Sequence, residues 1–80
     1  MRITYDGEVD AAYIYLARIA PGAVKRTEVC DFDGVHGSIN LDFDEAGRLL
    51  GIEVLRASGS LAKEALRAAE RIDLPEHIGR

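Results

Sequence analysis

Between residues 38 and 55 the chain alternates strictly. Ile39, Leu41 and Phe43 are apolar, Asn40, Asp42 and Asp44 between them are polar, and Leu50, Ile52 and Val54 resume an apolar register beyond the turn at 44–47. Period-two alternation marks strands with one buried and one wet face, the pattern of an antiparallel sheet, and the two runs predict a hairpin. Three earlier strands are predicted on the same grounds. A short one at 3–5 leads into the turn Asp6, Gly7, Glu8, Val9, Asp10, where glycine is expected to take the positive φ. Residues 11–17 carry Ile14 and Leu16 on one face and Tyr13 and Tyr15 on the other. A strand apolar on both faces belongs in the middle of a sheet, against the core on one side and a helix or second subunit on the other. Residues 24–30 are more polar and suit an edge, where charge discourages further pairing.

From Ser60 the period becomes helical. Leu61, Ala62, Ala65, Leu66, Ala69 and Ile72 form one stripe, with Lys63, Glu64, Arg67, Glu70 and Arg71 opposite. A single helix over about 60–72 is predicted, capped by Ser58 or Ser60, carrying Glu64–Arg67 and Arg67–Glu70 surface pairs and ending before Pro75. Residues 73–80 read as a frayed tail. The expected fold is one α+β domain spanning 1–80: an antiparallel β-meander of about five strands within 2–56, with one C-terminal helix packed on the sheet.

Composition adds the question of stability. The 80 residues are 48% hydrophobic and 30% charged, as in a globular protein. A domain this small holds only about 3–5 kcal/mol from one core, so a homodimer is expected. The single cysteine, Cys30, excludes an intrachain disulfide and a cysteine-built zinc site. The opening MRITYDGEVD has no apolar signal core and no run reaches membrane-spanning length, which predicts a cytoplasmic protein without membrane contact. The net charge of −4 is concentrated in residues 31–55, where Asp31, Asp33, Asp42, Asp44, Glu45 and Glu53 face one base, Arg48. Phosphate contact needs clustered lysine and arginine, so this bias argues against nucleic acid and for a basic protein partner.

Each candidate chemical motif has a plainer structural role. Asp42, Asp44, Gly47 and Glu53 match positions 1, 3, 6 and 12 of a calcium loop, but Ala46 at position 5 offers no oxygen and the flanks alternate as strands rather than helices. A hairpin turn accounts for the same letters. Asp31 and Asp33 echo that turn chemistry. If the two acidic turns met, with His36 nearby, they would offer a magnesium site or an acid–base pair. Cys30 and His36 are the remaining nucleophilic elements, yet acids near Cys30 blunt a thiol and packing is the plainer role. The run from Ser60 to Lys63 matches S-x-x-K, for which a helix cap is sufficient. Tyr5, Tyr13 and Tyr15 suggest an aromatic surface that, lacking interleaved bases, fits self-association or the core better than base stacking.

The segments ITYDGEVDAAYIYL, GSINLDFDEAGRLLGIEVLRAS and SLAKEAL closely resemble a small bacterial and archaeal family, domain of unknown function 2283. The matches are Tyr5-Asp6, Asp10-Ala11, the run from Tyr13 to Leu16, the run from Leu41 to Asp44 and the run from Gly51 to Leu55. The resemblance implies short stand-alone proteins and supplies no activity, cofactor or catalytic residue. The leading expectation is therefore a non-enzymatic, homodimeric protein-interaction module, with Tyr13, Tyr15, Asp31, Asp33, Asp42, Asp44 and Glu53 as its interaction surface. Two alternatives stand beside it: an antitoxin-like neutraliser of a basic ribonuclease toxin, and a small metal-dependent hydrolase built on the acidic turns and His36.

Overall fold

The protein is described by a computed structural model over residues 1–31 and 37–74. Asp33, His36, His77 and the end of the predicted tail lie outside the described residues. Five strands follow in chain order: β1 Arg2–Asp6, β2 Ala11–Tyr15, β3 Arg26–Cys30, β4 Ile39–Phe43 and β5 Leu49–Leu55. Two short helices, α1 Ala57–Ser60 and α2 Lys63–Ala68, lead to a two-residue strand, β6 Glu70–Arg71. The fold is α+β, with a mostly antiparallel mixed sheet in the order β3-β4-β5-β2-β1-β6.

The predicted hairpin is present, with Ile39 opposite Val54 and Leu41 opposite Ile52. The ladder is irregular near Asp42 and Phe43, where the register shifts. Gly47 takes φ 82° at the turn, while Asp44 accepts from the amides of Ala46 and Arg48 at 2.9 Å each. β2 occupies the middle, between β5 and β1, as its two apolar faces require, and the polar β3 is an edge. The arrangement is not one continuous meander. After the β1–β2 hairpin the chain crosses to the far side, builds β3–β4–β5 inward, and closes β5 onto β2.

Larger corrections fall at the C-terminal end. The continuous helix expected over 60–72 is two pieces, with Leu61 and Ala62 extended between them and Glu70–Arg71 pairing in parallel with Thr4 and Tyr5 of β1. Alanine-rich periodicity reports helix propensity, but a short helix gains most of its stability from packing, and the β1 edge competes for the chain. Glu70 pairs with Arg2 instead of Arg67, at 3.1 Å. Neither Ser58 nor Ser60 caps a helix as expected. Ser58 lies inside α1, and the cap comes from Asp10, a residue distant in sequence. Its backbone oxygen accepts from the Ala57 amide at 2.9 Å, and its carboxylate accepts from the Ser58 amide at 2.9 Å and the Ser58 hydroxyl at 2.6 Å. Ser60 Oγ is buried, with no hydrogen-bond partner among the described residues. In the β1–β2 turn the left-handed residue is Asp10, φ 54°, rather than Gly7. The Tyr5 hydroxyl donates to the same carboxylate at 2.8 Å, so β1, the turn and α1 share one anchor.

The segment from β5 through α1 and α2 to β6 crosses over one face of the sheet. That face carries Ile39, Val54, Ala12 and Tyr5 in one row and Leu41, Ile52, Ile14 and Ile3 in the next. The crossover covers the first row: Ala57 is fully buried, Ala12 and Val54 are 2% exposed, and Leu61 and Leu66 pack against them. The second row is only partly buried, and Leu16 beyond it is 39% exposed. The hydrophobic residues fully buried among those described are two alanines and a valine. For a domain of this size that is a slight core.

Candidate interaction face

The opposite face of the sheet is built by the intervening residues. Asn40 stands opposite Glu53, Glu53 opposite Tyr13, and Tyr13 opposite Thr4, while Asp42 faces Gly51 and Gly51 faces Tyr15. Tyr13 does not stand upright on this surface. Its ring lies over Gly51, where an added Cβ would be 2.7 Å from Tyr13 Cζ. Lying across β5, it donates its hydroxyl to Asp42 on β4 at 2.6 Å. A glycine inside an otherwise apolar strand thus serves the close approach of an aromatic ring. Thr27 from the edge strand donates to the other Asp42 oxygen at 2.6 Å, so one carboxylate ties β2, β4 and β3 together. Asn40 donates to Glu53 at 2.8 Å. Burial and the bond to Asp42 push the Tyr13 phenol above its ordinary pKa, so it stays protonated as a donor.

Tyr15 stacks at a tilt against Tyr13, with ring centroids 4.7 Å apart. The Arg2 guanidinium sits 5.1 Å from the Tyr15 centroid and is held there by Glu70. Beside the two rings, Ile19, Ala20, Pro21, Gly22 and Val24 complete an open groove of about 450 Å³. Its walls are apolar and aromatic.

Four of the expected interaction residues, Tyr13, Tyr15, Asp42 and Glu53, therefore share one face. Asp31 and Asp44 do not join them, and Asp33 lies outside the described residues. Asp44 is taken up by the hairpin turn, where the Arg48 amide and then its side chain hold the carboxyl below its ordinary pKa. Asp31 follows β3 at the opposite end of β4, roughly 15 Å away at about 3.3 Å per residue. Among the described residues, no three histidine, cysteine, aspartate or glutamate side chains gather as a metal site. Tyr5 leaves the expected tyrosine cluster for the helix-covered face. Sequence reasoning missed Thr27, Asn40 and Gly51. The first two become visible only with the register, but a glycine amid Leu50, Ile52 and Val54 was a readable sign of close approach.

A family profile covers the first five strands. The profile described as "Protein of unknown function (DUF2283)" matches residues 2–58. The chain belongs to this family. The matched span covers β1 to β5 and closes on Ala57 and Ser58, the two residues capped by Asp10, so Tyr5, Asp10 and the start of α1 meet in one hydrogen-bonded corner within it. α2 and β6 lie beyond the match. No curated protein and no solved structure matches the chain. No helix among the described residues is long and apolar enough to cross a membrane.

Proposed function

We propose that the protein is a non-enzymatic, homodimeric interaction module that holds a basic segment of a protein partner against the Tyr13–Tyr15 face. The observation that carries this reading is Arg2. An arginine already lies over Tyr15 with a carboxylate, Glu70, fixing it, so the face presents the chemistry that a partner's lysine or arginine would use. Asp42 and Glu53 lie on the same surface, and their carboxylates favour such a segment there. The groove beside the rings receives the apolar portion of the segment.

The test compares partners retained by the tagged full chain and by Tyr15→Ala and Glu53→Lys variants in the native host. A basic protein retained by the native chain and lost from both variants is the expected result. Identical partner profiles for all three refute the reading. The narrower alternative, a neutraliser of a basic ribonuclease, draws on the same acidic hairpin. It requires that co-expression with this chain abolish the toxicity of such an enzyme, and unchanged toxicity removes it.

A further inference from the structure

We infer that the free edge of β3 pairs with β3 of a second copy of this chain, antiparallel and centred on Thr27, so that two sheets join into one. Among the described residues β3 pairs with β4 alone, while β6 already occupies part of the opposite margin. An edge strand turns every second amide and carbonyl away from its neighbour, and those groups accept a further strand. The side chains of this edge select which strand it is. Arg26 and Glu28 lie two residues apart and so share a face, with side chains 60% and 58% exposed. Within the strand they approach each other only to 3.9 Å. The dimer edge builds on the homodimeric module reading and gives it a location away from the tyrosines.

Charge complementarity fixes both the occupant and the register. In an antiparallel self-pairing, positions equally far to either side of the central residue stand opposite one another. With Thr27 at the centre, Arg26 of each copy faces Glu28 of the other, so one contact contains two opposite-charge pairs. With Glu28 at the centre, glutamate meets glutamate, and with Arg26 there, arginine meets arginine; both are unfavourable. The charges that exclude an apolar strand from this edge therefore admit a copy of it. Lys25 extends the contact, because its amide donates to the Phe43 carbonyl at 2.8 Å and continues the ladder. Its aliphatic stem then covers Val29 of the second copy, which is 63% exposed in a single chain. The Arg26 guanidinium, 4.6 Å from the Phe43 centroid, is exposed enough to swing outward to its new partner. Opposed residues of antiparallel neighbours point to the same side, so the two tyrosine faces lie side by side on one surface and the two helical crossovers on the other. The contact is short, which makes the dimer concentration-dependent.

Sedimentation velocity on the full chain, across a hundredfold range of concentration, tests the pairing. The native chain is expected to pass from 8.7 kDa to twice that mass. Glu28→Arg and Arg26→Glu each set like charges opposite one another and weaken self-association by about 10-fold or more. Mixing the two variants restores it, because every arginine at these positions then faces a glutamate, and a folding defect would not recover on mixing. Isotope-filtered nuclear Overhauser spectra on mixed labelled and unlabelled native chains should show contacts between Arg26 of one copy and Glu28 of the other. A native monomer at all concentrations, a dimer indifferent to both reversals, or contacts between copies at other strands overturns the inference. A native monomer that retains a basic partner refutes this edge and leaves the tyrosine-face reading standing. A dimer with the expected charge response that retains no basic partner refutes that reading alone.

Discussion

Replacing Gly51 with alanine tests the arrangement of the tyrosine face most directly, because the usual effect of the substitution has the opposite sign. In a strand interior, glycine to alanine removes freedom from the unfolded chain and stabilises by about 0.5–1 kcal/mol when the backbone accepts it. Gly51 has no positive φ to lose, so strand conformation alone predicts that gain. The ring of Tyr13 reverses it. The new Cβ would stand 2.7 Å from Tyr13 Cζ, so the ring must lift and its hydroxyl leaves Asp42. Overpacking of this kind costs about 1–3 kcal/mol, and the lost bond to a carboxylate adds about 1 kcal/mol, reduced from the full value because Thr27 still satisfies one Asp42 oxygen. The net expectation is a loss of about 1.5–3 kcal/mol, or roughly 8–18 °C in Tm for a domain this small. The assay is thermal and urea unfolding at one fixed protein concentration, run as a double-mutant cycle with Tyr13→Ala. Without the ring, Gly51→Ala should be neutral or stabilising, giving a coupling of about 2 kcal/mol. Equal destabilisation in both backgrounds would show that the ring is not what Gly51 accommodates.

Asp10→Ala should lower Tm and expose the Ala57 and Ser58 amides to hydrogen exchange, while Asp10→Asn, which tolerates the left-handed conformation and keeps an acceptor, should do less. Unchanged protection in the alanine variant would contradict the shared anchor. Acid should unfold the protein progressively. Ser58 and Tyr5 lower the Asp10 pKa, Arg48 that of Asp44 and Arg2 that of Glu70, while Arg71 depresses Asp73 to about 2. Groups with depressed folded values stabilise above their unfolded pKa near 4 and lose that contribution as pH falls toward 2, so Asp73→Asn should flatten the acid limb of a Tm–pH curve. At the alkaline end the sign follows from raised phenols. Burial and Asp42 raise Tyr13, and Asp10 raises Tyr5, so stability should fall as pH rises past about 10, where unfolded tyrosine ionises. Ultraviolet titration should show those two rings ionising late, and Tyr13→Phe should remove one late phase.

The alternation of apolar and polar residues by itself determined that 38–55 is a hairpin, that the strand of Tyr13 and Tyr15 sits centrally, and that the strand of Arg26 and Glu28 is an edge. These are local properties: period two assigns each side chain to a face, and strand chemistry selects centre or margin. The resemblance carried by Tyr5-Asp6, Asp10-Ala11 and the run from Gly51 to Leu55 likewise identified the family that the profile shows. Only the tertiary structure decided which face the helices cover, because Ala12 and Tyr13 differ in face but not in their fitness for burial. The same holds for the break at Leu61 and Ala62. Helix propensity favours a continuous helix there, but a free hydrogen-bonding edge on β1 captures Glu70 and Arg71. The site divided along the same line. Alternation places Tyr13 with Tyr15 on one face of their strand and Asp42 and Glu53 on the polar faces of theirs. The coincidence of those faces without Asp31 and Asp44, and the bonds across β5, depend on register between strands far apart in sequence. A linear pattern records the face of each residue; which residues meet on that face is settled by long-range pairing.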